Sequence, residues 1–148
     1  WIIAILLLQV IYGAFTAGLK AGYIYNTFPK MGGQWIPDNL FPLTPWWKNL
    51  VENQMTVQFI HRCLGWILCF VIPGFWRYTR GFMLTDEQNR AITWFLYIVV
   101  GQFLLGMFAI LFVVPIWLGV MHQVGACLLL ANWVYIYFLI NHTEPGTL

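Results

Sequence analysis

The chain has 148 residues, 61% of them hydrophobic, with only 8% Asp, Glu, Lys and Arg and a net charge of +2. A soluble domain of this size carries about 25% charged residues, so lipid is expected to cover much of the surface. The near-neutral balance offers nothing to nucleic acid, and 19% aromatics with nine Trp suits rings at membrane–water interfaces.

A first apolar segment runs from Trp1 to about Ala17. It has no basic leader or cleavage site, so it reads as a membrane helix whose start lies in a longer chain, not as a signal peptide. Residues 18–54 form a long connection carrying Pro29, Pro37, Pro42 and Pro45 among Trp35, Trp46 and Trp47. Those prolines and rings predict an ordered cap on the bundle rather than a flexible linker. A second apolar segment spans about Met55 to Tyr78, a third about Ala91 to Val114, and a fourth about Ile116 to Ile140. Each approaches the roughly 20 residues a bilayer-crossing helix needs. Pro115 separates the last two with almost no loop, which predicts a tight antiparallel hairpin. The expected fold is therefore all-α: a single integral-membrane four-helix transmembrane bundle over 1–148, with a long ordered outer loop between helices one and two.

Arg77, Arg80 and Arg90 crowd the short second connection, while three lysines spread thinly over the long first one. By density the second connection faces the cytoplasm or matrix, and the long loop faces outside. The polar tail Asn141–Gly146 holds His142, read as solvent-exposed. Cys63, Cys69 and Cys127 lie within apolar segments without CxxC spacing and read as small hydrophobes.

His61 and His122 each fall about six residues inside the outer end of segments two and four, about 9 Å below that edge. An ionisable group inside a membrane span is costly and points to function. Alternate helices of a four-helix bundle run the same way and face across its centre, so two imidazoles at one depth can grip one iron of a flat metallomacrocycle from both sides. Gly65, one turn past His61, and Gly125 with Ala126, one turn past His122, relieve crowding near such a ligand; Gly101 and Gly106 do the same on segment three. Arg62 is placed to pair with haem propionates, and Gln123 with a propionate or an imidazole nitrogen. Each has a plainer alternative: a helix–helix hydrogen bond for the histidines, close packing for the glycines, and snorkelling to lipid phosphate for Arg62. Zinc is disfavoured because no Cys, Asp or Glu accompanies the pair at ligand spacing.

A weak internal repeat supports the pairing. Gln9-x-x-x-Gly13 recurs as Gln102-x-x-x-Gly106, and each is followed on the next segment by a His with a glycine one turn on. Gln9 and Gln102 read as interhelical glue, and the order Gln, His, Gln, His suggests two related hairpins.

The loop residues Gly18-Leu19-Lys20-Ala21-Gly22, Tyr25-Asn26-Thr27-Phe28-Pro29-Lys30-Met31-Gly32 and Trp35-Ile36-Pro37 closely resemble the haem A synthase family. So do Glu52-Asn53, Val57-Gln58-Phe59, His61-Arg62 and His122-Gln123. The match is to the second half of that family's eight-helix protein. The resemblance implies an oxidoreductase that converts the C8 methyl of haem O to a formyl group, making haem A for cytochrome oxidase. It implies a cofactor haem b (iron protoporphyrin IX) held by His61 and His122 as axial ligands, with Arg62, Gly65, Gly125 and Gln123 around it. Substrate haem O would bind the half that is not in this chain, so no catalytic residue is assigned. The expected surroundings are a bacterial plasma membrane or mitochondrial inner membrane, with haem O synthase and oxidase assembly factors as partners. Two other readings stay open: a non-catalytic haem-binding or oxidase-assembly module, and a b-type membrane electron-transfer cytochrome.

Overall fold

The computed structural model describes residues 1–142. The expected polar tail from Thr143 to Gly146 lies outside the described residues. The helices are α1 (Ile2–Gly18), a short α2 (Asn49–Glu52), α3 (Gln54–Thr79), α4 (Asp86–Leu111) and α5 (Ile116–His142). Three of them, α3, α4 and α5, are long and apolar enough to cross a membrane; α1 is apolar but shorter, at 17 residues.

Capping chemistry sets the boundaries. Asn53 starts α3 by accepting the Met55 backbone N–H at 3.0 Å. Thr85 and Gln88 form a capping box, so α4 begins at Asp86 rather than Ala91. Asp86 and Glu87 then sit in the first turn, where the helix dipole favours negative charge.

The other end of α4 stops at Leu111 rather than Val114. The Val113 N–H donates to Ile110 O at 3.1 Å and the Val114 N–H to Ala109 O at 2.7 Å, which is the paired closure that usually needs glycine. Both valines are left-handed, with φ of 60° and 52°. That costs about 1–3 kcal/mol each for a residue with a side chain. Asn26 helps to hold the turn, because its Nδ2 donates both to Ile110 O at 3.1 Å and to Gly22 O at 2.9 Å.

α1 packs on α3, α3 on α4, α4 on α5, and α5 touches α1 more sparingly. The ring places α3 and α5 on opposite corners. Leu6, Leu68, Ile72, Phe95, Val99, Leu129 and Ile136 fill the half of the bundle remote from the 19–48 connection. The near half is hollow. Cys63 and Cys69 are half-buried, Cys127 is exposed, and none is paired; the last therefore faces outward rather than packing in a core.

Candidate functional site

The hollow is a cavity of about 610 Å³ lined by α1, α3, α4, α5 and the start of the connection. His61 of α3 and His122 of α5 both stand on its wall, their rings perpendicular at 88° with centroids 6.4 Å apart. The depth-matched pair is thus brought together across the bundle.

What seats each ring is a glycine on a neighbouring helix, α1 for His61 and α4 for His122. A Cβ on Gly13 would stand 3.2 Å from His61 Cε1, and a Cβ on Gly106 would stand 3.0 Å from His122 Cε1. Both contacts are tighter than most Cβ atoms make, so a side chain at either glycine would have to displace the imidazole by a few tenths of an ångström. The exchange is reciprocal. Gln9 Nε2 lies over Gly65, 3.5 Å from where its Cβ would be, and Gln102 lies over Gly125 so closely that a Cβ there would overlap Nε2. Each Gln-x-x-x-Gly stretch therefore clasps one His–Gly stretch.

Nδ1 of His61 and of His122 is buried without a hydrogen-bond partner among the described residues.

The other expected site residues separate. Arg62, Gly65 and Gln123 line the cavity, as does Ala126. Gly125 does not relieve the cavity; its open side is filled by Gln102. Gly101 has open space around it and seats nothing. Arg62 is buried, and its guanidinium donates to Thr27 O at 2.8 Å and Tyr25 O at 2.7 Å. Its terminal nitrogens hold the connection onto α3. His142 ends α5, exposed, with Nδ1 donating to Phe138 O at 2.9 Å. Two wall features escaped the sequence reading: Lys20, and an aromatic group in which Phe28 stacks on Trp66 at 5.6 Å and meets Phe103 edge-on at 5.8 Å.

The model of the cytochrome oxidase assembly protein family, COX15-CtaA, matches residues 1–134. The chain belongs to this family. Similar proteins carry the name "Heme A synthase", which bears out the resemblance read from the loop. That of Nitrosospira multiformis is 43% identical over 133 residues, covering 88% of this chain and 37% of the relative. That of Parvibaculum lavamentivorans is 42% identical over 125 residues, covering 84% and 35%. That of Wolbachia pipientis wMel is 38% identical over 148 residues, covering 97% and 40%. The chain thus spans well under half the length of these relatives. No solved structure matches it.

In this COX15-CtaA family member the loop residues that carry the resemblance have definite structural work. Tyr25 and Thr27 present the carbonyls that Arg62 binds, and Gln58 Nε2 also donates to Tyr25 O at 3.1 Å. Thr27 Oγ1 donates to Lys30 O at 2.7 Å and accepts the Gly32 N–H at 2.9 Å, closing a turn. Gly32 has φ of +59° and lies against the Tyr25 ring, which a side chain there would strike at 2.9 Å. Leu40 O accepts from Thr56 and from Asn53 Nδ2, tying the far part of the connection to α3.

Proposed function

We propose that this chain is the haem-b-holding half of a haem A synthase, with His61 and His122 as the two axial ligands of one iron. The single observation that carries this reading is the 6.4 Å between their ring centres. A metal–imidazole nitrogen bond is about 2.0–2.1 Å and the nitrogen lies about 1.1 Å from its ring centre, so two rings sharing one metal sit about 6.2–6.4 Å apart. Burial of both Nδ1 atoms leaves Nε2 as the nitrogen open to a ligand. The cavity volume falls within the 300–1,000 Å³ range usual for small-molecule and cofactor sites.

When bound, haem supplies one-electron redox chemistry at its iron. The chain's own residues then have three tasks. His61 and His122 would hold the iron between them, an arrangement that would suit electron transfer better than oxygen binding. Gly13 and Gly106 fix the imidazoles, with Gln9 and Gln102 filling behind. Phe28, Phe103, Leu129 and Leu130 keep the wall apolar and water out.

In the same reading α1 also crosses the bilayer, giving four spans in one bundle over 1–148. The 18–54 segment and the histidine end face outward, and Arg77, Arg80 and Arg90 face the cytoplasm or matrix. The membrane is a bacterial plasma membrane or a mitochondrial inner membrane. The whole protein oxidises the C8 methyl of haem O to the formyl of haem A, with haem O synthase upstream and oxidase assembly factors downstream. The test is haem analysis of the full-length protein supplied with haem O. Formation of haem A supports the activity, and its absence with haem b bound leaves only the binding module.

A further inference from the structure

Arg62 lines the cavity and keeps its charge there, but both its terminal nitrogens are committed to the carbonyls of Tyr25 and Thr27, and only its buried Nε is left among the described residues without a partner. The described cavity wall has one other charged side chain, Lys20, and it contains no Asp or Glu. An apolar hollow with a basic mouth and no acid is built for an amphiphilic ligand that is anionic along one edge.

Lys20 is exposed, at the end where α1 runs into the connection, seven residues past Gly13. That is roughly 10 Å along the bundle from the level of the imidazoles. Its ammonium makes no ion pair or hydrogen bond with another described residue. Its backbone is left-handed, with φ of 54° and ψ of 30°, a conformation that disfavours any residue with a Cβ and suits glycine. A lysine stands where the backbone would rather have none.

Resting on the haem reading above, we infer that Lys20 is the specificity-determining cation of this site. Its ammonium pairs with a ligand carboxylate, selecting tetrapyrroles with free acid groups and turning their acidic edge toward the connection.

The experiment compares haem b with its dimethyl ester in the full chain in detergent, unmodified and as Lys20→Gly and Lys20→Arg. Glycine fits the backbone at position 20, so the variant is expected to fold. Lys20→Gly is expected to speed loss of free-acid haem to an acceptor protein by roughly twofold to fivefold, with the gap narrowing at high salt. It leaves ester retention unchanged, and Lys20→Arg restores the free-acid value. Loss of the nearby cation also lowers the midpoint potential of free-acid haem. Equal effects on acid and ester, or no effect on either, would overturn the role of Lys20. The low-spin spectrum persists in Lys20→Gly, whereas failure of the axial-ligand reading appears as an unchanged spectrum in the His61 and His122 variants, so the two ideas fail separately.

Discussion

Gly13 has no side chain because His61 occupies the space: a Cβ on Gly13 would lie 3.2 Å from the imidazole Cε1. The second hairpin repeats the relationship between Gly106 and His122, at 3.0 Å. The two imidazoles are thus aimed by glycines on neighbouring helices, and the spacing between the rings follows from how α1 and α4 seat them.

Gly106→Ala should therefore push His122 off its position. Overpacking of a tight site costs about 1–3 kcal/mol. The expected result is a lower melting temperature and a mixed-spin haem spectrum, read by absorption. Gly101→Ala, with open space around it, is the control and should leave the spectrum alone.

Gly125 tests the clasp itself. A Cβ there overlaps Gln102 Nε2 and comes within 2.9 Å of its Cδ, so Gly125→Ala must expel the Gln102 side chain from a buried place. Thermal unfolding should show a loss for Gly125→Ala that is largely recovered in Gly125→Ala with Gln102→Ala. Simple additivity of the two losses would mean that the residues do not compete for one space.

Arg62→Ala leaves the carbonyl of Thr27 without its donor and that of Tyr25 with Gln58 Nε2 alone. Hydrogen bonds to a charged group contribute about 1.5–3 kcal/mol each. The variant should melt earlier and be cut faster by protease between residues 25 and 40. Arg62→Lys keeps the charge but not the two-pronged geometry, and should recover only part of the loss.

Thr85→Ala removes half of the capping box that begins α4. A loss of about 1 kcal/mol in unfolding free energy is expected, with no change in haem spectrum, since the cap lies at the end of the bundle remote from the cavity.

Much of this fold was legible because periodicity and hydrophobic length are local properties. The long apolar segments, the break at Pro115 and the matched depth of His61 and His122 need no knowledge of neighbours. The Gln-x-x-x-Gly repeat was visible too, but its meaning was not. Glycine 13 makes room for a side chain of α3, and only the packing order of the helices reveals that. Gly125 was read as relief for a ligand for the same reason, although Gln102 fills it. Arg62 stands beside His61 in sequence and does line the cavity, but its two terminal nitrogens go to the carbonyls of Tyr25 and Thr27, which only the fold of the connection reveals. The early start of α4 is a different case. Thr85 and Gln88 have capping-box spacing, but they and Asp86, Glu87 and Arg90 lie outside the apolar stretch by which the third segment is bounded.

The most direct test of the account is the absorption and electron paramagnetic resonance spectrum of the haem-loaded chain, unmodified and as His61→Ala, His122→Ala and His142→Ala. The unmodified chain and His142→Ala should show one low-spin, six-coordinate haem. Each of His61→Ala and His122→Ala should lose haem or turn high-spin, and added imidazole should restore the low-spin signal. An unchanged low-spin spectrum in both single variants would contradict the assignment of His61 and His122 as the axial pair.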